Sequence, residues 1–447
     1  MRATAPPKRP TVAIVGAGWS GLAAAVAATQ AGHAVTIFEA ARTLGGRART
    51  VQATLSDGRS IALDNGQHIL IGAYTQTLRL MRQVGIDVDA ALLRMPLTMM
   101  FPDGRGLRFP KLPAPLDALI GIVGARGWSW RDKLSLLRVA SRWQRAKFEC
   151  DAACTVADLC VELTPRVRAE MIDPLCVSAL NTAADAASGL VFLRVLRDAM
   201  FGVSGGSNLL LPRVDLGALF PDAAARWVSS HGGRMALGCR VQTIVPAAGG
   251  WRLVGHGVEG GVEDSHSHFD QVVLACPPGE AARLVESSGV AHAKAWSAQA
   301  RALRFEAIAT VYLEGGQRLP EPMLALRSTP DAPAQFVFDR AQTGGPDGLW
   351  AMVVSASTAE RAMLEAQVVA QAREQLGCAR PRVVLSVVEK RATFACTPGL
   401  VRPPMSIAPG LDACGDYIDG PYPATLEGAV MSGLAAASRI SERAASR

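Results

Sequence analysis

The chain has 447 residues, 49% of them hydrophobic and 19% charged, and a formal net charge of +7. Such a length suits two domains with a large shared core and excludes a disordered chain or a small stapled one. The basic residues are scattered and no nucleic-acid-binding motif accompanies them, so nucleic acid is excluded as a partner.

Residues 1–10 are polar and proline-rich, with no apolar segment ahead of the first strand. Residues 12–15 (Val-Ala-Ile-Val) read as a buried parallel strand. Gly16-Ala-Gly18-Trp-Ser20-Gly21 then opens an alanine-rich helix with the spacing G-x-G-x-x-G. Gly16 permits the tight turn, Gly18 admits a pyrophosphate to the backbone, and Gly21 lets the helix lie on the strand. The helix N-terminus offers unpaired N–H groups and partial positive charge. A second strand over 34–38 ends at Glu39, about 20 residues on, where a carboxylate meets ribose hydroxyls and repels a 2′-phosphate. Leu44-Gly45-Gly46-Arg47-Ala-Arg49 adds a second glycine pair. A nicotinamide dinucleotide has no use for it, whereas a longer flavin dinucleotide threaded through the fold does. Tightly held FAD is therefore expected.

Residues 51–55 and 60–63 form a strand pair leading into Asp64-Asn65-Gly66-Gln67-His68, which reads either as a cofactor-lining loop or as a hydrogen-bonded turn. Helical spacing covers 74–92, and a hairpin around Pro102-Asp103-Gly104 covers 95–109. The apolar run over 116–125 is too short to span a bilayer and contains Asp117. Across 112–147, Trp128, Trp130 and Trp143 alternate with cations. This suits a segment resting on a lipid headgroup layer, or equally a solvated helix with core tryptophans. Nine cysteines form no C-x-x-C pair, and Cys150, Cys154 and Cys160 cluster without a histidine. No metal site is expected, and reduced thiols suit the cytoplasm. Residues 155–200 are helical and apolar. From 212 nucleotide-fold character returns, with a helix over 220–230, a strand over 238–244, a polar hairpin over 249–268 and a buried strand over 271–275. Residues 300–395 contain strands at 307–313 and 348–355 and a helix near 358–376. A strand over 407–414 ends in Gly415-Asp416. A loop then leads to Pro423-Ala424-Thr425-Leu426 and a terminal helix, a second helix N-terminus aimed at a ligand. No long linker separates the halves. The expected fold class is α/β, a Rossmann-type FAD-binding domain (1–90, 210–290, 396–447) interleaved with a mixed α+β substrate domain (91–209, 291–395).

The stretches at Gly16, Glu39, Leu44, Arg240-Val241, Leu274-Ala-Cys-Pro-Pro and Gly415 onward resemble the amine oxidase and phytoene desaturase superfamily of FAD enzymes. More narrowly, 64–74 and Asp173-Pro-Leu-Cys-Val-Ser-Ala-Leu-Asn181 resemble the squalene-associated FAD-dependent desaturases, whose members include hydroxysqualene dehydroxylase. The resemblance covers nearly the whole chain. It implies that Gly16, Gly18, Ser20 and Gly21 meet the pyrophosphate, Glu39 the ribose, Arg47 the phosphates and Val241 the adenine. Asp416 and Thr425 lie along the ribityl chain and flavin. Gly45, Gly46, Gly66, Gly415 and Leu426 complete the expected cofactor set. The implied substrate is a long apolar isoprenoid, a C30 allylic alcohol, with squalene as product and hydride supplied by reduced FAD. A hydroxyl leaves poorly without a proton, and His68 is the candidate donor. Tyr422 departs from the subfamily, which often has a smaller or aliphatic residue before Pro-Ala-Thr. The implied setting is the cytoplasm, with peripheral contact at the inner face of the cytoplasmic membrane through 112–147 and enzymes of the same pathway as neighbours. Other readings are a carotenoid-type desaturase, an amine oxidase, and a non-catalytic flavoprotein that holds isoprenoids. With four tyrosines and twelve phenylalanines, the chain is poor in material for an amine oxidase's aromatic cage.

Overall fold

The computed structural model describes residues 9–256, 267–357 and 359–445, so part of the hairpin expected over 249–268 lies outside the described residues. A six-stranded sheet runs in the order Arg234–Leu237, Ala34–Glu39, Thr11–Val15, Gln271–Leu274, Leu411–Ala413, Ser406–Ala408. All neighbours are parallel except the last pair. Val12, Ala13 and Ile14 in the central strand are wholly inaccessible because both faces of the sheet are covered. Side chains alternate as a strand's period of two demands. Val12 and Ile14 join the core under the helices, and Ala13 and Val15 the core on the opposite face. The chain leaves the central strand in one direction and later returns on its other side. This reversal opens a crevice beyond the carboxyl ends of the strands, the usual ligand position in such sheets.

The helices Trp19–Gln30, Pro221–Ser230 and Leu426–Ala445 cover one face. On the other lies a three-stranded antiparallel sheet, Arg240–Ala247, Gly250–His256 and Ser267–Phe269, with Phe269 edge-on to Phe38 at 5.8 Å. A separate five-stranded antiparallel sheet runs Met323–Ala325, Phe336–Asp339, Trp350–Ser355, Phe305–Glu314, Arg382–Phe394. The helix Arg361–Leu376 backs it, laying Leu364, Val368 and Ala372 on Val311, Leu313 and Met352.

Several expected elements take a different form. The helix expected over 74–92 splits at Gly85 (φ +89°) into Thr75–Gln83 and Val88–Ala91, and Leu92–Met95 pairs as a strand with Leu209–Pro212. The helical stretch over 155–200 is broken into short pieces, including a π-helical turn at Arg168–Ile172. The strand expected over 407–414 turns back at Pro409-Gly410 into two short strands. The edge strand Arg234–Leu237 has no apolar run to reveal it, whereas the strand expected over 238–244 belongs to the three-stranded sheet. Trp128 and Trp143 are buried, Trp128 donating its indole N–H to Glu170 at 2.8 Å, so the interfacial reading of three tryptophans is corrected to Trp130 alone.

The first and terminal helices cross where Gly433 meets Ser20, a Cβ at Gly433 standing 2.2 Å from the Ser20 carbonyl oxygen. Gly433→Ala is therefore expected to cost about 1–3 kcal/mol through overpacking, seen as a lowered Tm. An unchanged Tm would remove this contact from the account.

Candidate functional site

A cavity of about 800 Å³ opens at the carboxyl ends of the parallel strands. Its first part is built from backbone. Gly16 has φ +113°, and a Cβ there would stand 2.6 Å from the Ala275 carbonyl oxygen. Gly45 N–H donates to the Ala17 carbonyl at 3.0 Å, bringing the second glycine pair against the first. A Cβ on Gly46 would press on Gly18 Cα at 3.2 Å, so side chains here would fill the notch between the two loops. Ser20 lines the same wall. Gly21 does not: its Cβ would lie 2.0 Å from the Gly16 carbonyl oxygen and 2.9 Å from Ala275 Cβ. These contacts give Gly21 the helix-on-strand packing that its place in the glycine motif implies.

Glu39 lines the cavity while its carboxylate accepts from Ala17 N–H at 2.7 Å and Ala41 N–H at 2.8 Å. It therefore braces the glycine loop as well as facing the ligand. Val241 is on the wall opposite, and the carbonyls of Val241 and Gln242 accept from Arg283, itself held by Glu280 at 2.7 Å. Nothing in the local sequence marks this role of Arg283, because the Val241 and Gln242 carbonyls lie about forty positions away.

Further along, Arg47 forms an ion pair with Asp416 and donates to the Ala392 carbonyl at 3.0 Å. Burial works most strongly against the guanidinium, but the charge and hydrogen bond of Asp416, with Glu389 and Tyr417, together outweigh it and keep its pKa raised. Gly415 N–H donates to Ser432 Oγ at 3.1 Å. Thr425 Oγ1 accepts from Gly428 N–H at 3.0 Å and caps the terminal helix, whose first residue Leu426 also lines the cavity. The buried Glu427 accepts from the backbone N–H groups of Gln76 and Thr77 and from the Thr77 hydroxyl, pinning this helix end to Thr75–Gln83.

Gly66 and His68 share the wall with these residues. His68 Nδ1 lies 2.7 Å from the Gly66 carbonyl, which only accepts, so Nδ1 carries the proton and Nε2 is bare in the neutral ring. Burial lowers the His68 pKa; the Gly66 hydrogen bond raises it and Arg47 lowers it further. The same cavity is lined by the apolar side chains of Ile71, Leu97, Leu175, Phe192 and Leu196. Leu175, Ser178 and Ala179 come from the 173–181 motif. Asn181 ends that helix at φ +45° and fastens it to two strands, accepting from Ala356 N–H and donating to Thr393 Oγ1, each at 2.9 Å. Under the 64–68 loop lies a polar cluster. Asp64 Oδ1 accepts from Leu216 N–H at 2.8 Å, and Arg340 donates to Gln67 Oε1 at 3.3 Å.

Two glycine loops, the Glu39 carboxylate and a second helix N-terminus thus converge on one groove, which is the architecture of a dinucleotide-binding flavoprotein. The glycine notch and the unbroken wall from Glu39 to Leu426 fit an extended dinucleotide. The sequence matches the family of flavin containing amine oxidoreductases over residues 19–441. It is 24% identical over 450 residues to the hydroxysqualene dehydroxylase of Rhodopseudomonas palustris, covering 96% of this chain and 98% of that protein. It is 27% identical over 321 residues to the carotenoid phi-ring synthase of Streptomyces griseus, covering 66% and 57%. The fold superimposes on cyclohexylamine oxidase from Brevibacterium oxydans with a TM-score of 0.71 at 17% identity, over 98% of this chain and all of that one. The chain belongs to the flavin containing amine oxidoreductase family. It is an FAD-dependent oxidoreductase.

Burial raises the Asp64 pKa from 3.8 to about 6, partly offset by Arg340. The folded state therefore holds this proton where the unfolded chain has released it, and stability falls as pH rises from about 4 to about 6. Asp64→Asn is expected to flatten that part of the Tm–pH curve. Parallel curves for the two proteins would show that Asp64 does not titrate there.

Proposed function

We propose that this protein reductively dehydroxylates hydroxysqualene to squalene in squalene and hopanoid biosynthesis. The observation carrying this reading is an apolar cavity that continues directly from the flavin groove, in a chain similar over its full length to a hydroxysqualene dehydroxylase. FAD, when bound and reduced, supplies a hydride. In this reading its adenosine rests at Glu39 and Val241 and its pyrophosphate at Gly16, Gly18, Ser20 and Arg47. Gly45, Gly46, Gly66, Gly415, Asp416, Thr425 and Leu426 line the ribityl and ring end. The division into an FAD-binding domain (1–90, 210–290, 396–447) and a substrate domain (91–209, 291–395) is kept.

Ile71, Leu97, Phe192 and Leu196 bind the isoprenoid chain and keep water from the allylic carbon once its C–O bond breaks. The departing oxygen needs a proton, and His68 donates it from Nε2, since Nδ1 is committed to Gly66. The buried ring is protonated only on the acid side of the ordinary value of 6.5. Hence kcat/KM should fall as pH rises through a value below 6.5. His68→Ala should lower turnover about 10²–10⁴-fold with flavin retained, and unchanged turnover would remove His68 from this role. Incubating the reduced holoenzyme with hydroxysqualene tests the whole reading, squalene being the expected product. Likeness to a carotenoid-forming relative favours a desaturase as the second reading, which predicts hydrogen loss from a polyene instead. Binding without turnover would indicate a holding protein.

The substrate's insolubility makes a lipid surface its natural source. Among the described residues no helix is long and apolar enough to cross a membrane. The helices Leu116–Val123 and Trp130–Arg145 expose Leu116, Leu119, Ile120, Val123, Trp130 and Leu134. Lys133 lies 5.1 Å over the Trp130 ring, and Arg126 and Arg131 are exposed beside it. Behind this face Gly121 packs on Phe109, whose N–H bonds to Leu97 on the cavity wall. In our reading the face rests on the inner leaflet of the cytoplasmic membrane, near enzymes of the same pathway. The protein should co-sediment with anionic vesicles, and Leu119→Glu with Ile120→Glu should abolish this. Sedimentation that survives both changes would rule the face out.

A further inference from the structure

We propose that Tyr422 and Asp198 form the subsite that receives the substrate hydroxyl, selecting an alcohol over a hydrocarbon. The inference rests on the dehydroxylase reading above.

Both side chains line the cavity, in a stretch of wall otherwise made of Val195, Leu196, Ala199 and Met200. Tyr422 donates its phenolic proton to Asp198 Oδ2 at 2.8 Å, and Asp198 Oδ1 accepts from Arg197 Nε at 2.8 Å. The phenol stays protonated, since burial and then Asp198 push its pKa up to about 12. With its one proton committed, the pair presents a phenol oxygen and a carboxylate with unfilled lone pairs. It can therefore only accept a hydrogen bond. An allylic alcohol offers that proton and a hydrocarbon does not. Three other polar side chains on the wall are already satisfied within the protein. Asn181 binds Thr393 and Ala356, Thr425 binds the Tyr422 carbonyl and Gly428, and Ser178 donates to the Leu175 carbonyl at 3.0 Å.

The subsite is held rigidly. Arg194, one helical turn before Asp198, donates to the Pro421 carbonyl at 3.3 Å. Thr425 Oγ1 donates to the Tyr422 carbonyl at 3.0 Å. A Cβ at Gly428 would stand 1.9 Å from that same carbonyl oxygen, so the loop sits directly on the start of the terminal helix. Tyr422 thus lies between Asp416 and Thr425, on the loop assigned to the ring end of FAD, where a reacting carbon must come.

A clamp between loop and helix would leave the same contacts, so the test separates binding from structure. With the holoenzyme, KM and kcat for hydroxysqualene are measured alongside the Kd for squalene, read from the flavin absorbance. Flavin content and Tm are followed in parallel for wild type, Tyr422→Phe and Asp198→Leu. Loss of the acceptor should raise KM about 5–30-fold in at least one variant. The squalene Kd and flavin content should not move. KM unchanged in both variants, or squalene and hydroxysqualene weakened alike, overturns the subsite while leaving the dehydroxylase reading intact. A wild-type protein that makes no squalene overturns both.

Discussion

Gly16, Gly21 and Gly433 each stand where a single added carbon would meet a carbonyl oxygen, at 2.6, 2.0 and 2.2 Å. Through these contacts the first strand, the strand before Cys276 and the two long helices meet backbone to backbone. Close approach of this kind leaves backbone N–H groups facing a ligand with no side chain between. It also explains why the first and last parts of the chain must fold together, since the terminal helix lies directly on the first.

Electrostatics then closes the groove lengthwise. Arg47 and Asp416, 369 positions apart, join the second glycine loop to the loop before the terminal helix. Glu427, in the first turn of the terminal helix, repeats the device, holding amides of another helix. Charges in this region are consequently paired or hydrogen-bonded, as burial requires. His68 is the exception in kind, a ring kept neutral by burial and by the nearby Arg47, with one nitrogen committed and the other bare. A buried histidine of this sort gains its charge only on the acid side of the ordinary value.

One cavity wall combines the amide-rich notch at Gly18 with aliphatic side chains such as Leu196 and Met200, and Tyr422 and Asp198 are among its polar members. One solvent-facing surface follows the same logic. The exposed leucines of Leu116–Val123 lie outside the wall whose inner side includes Leu97, so the apolar exterior and the apolar cavity are separated by a thin layer of structure.

Short-range regularities determined much of this by themselves. The strand–glycine–helix unit, Glu39, the second glycine pair and the terminal helix were legible because each is written in consecutive residues with a local physical signature: alternation, helical period, or a backbone turn only glycine makes. The 64–68 loop and the 173–181 motif stood out by composition, but their roles did not. Only the tertiary structure showed that Asn181 is a clamp between strands and that Trp128 and Trp143 face inward. It alone brought Arg283 to Val241 and Asp198 to Tyr422. Those pairings span about 40 and more than 200 positions, and such contacts depend on how whole layers stack, which no local pattern encodes.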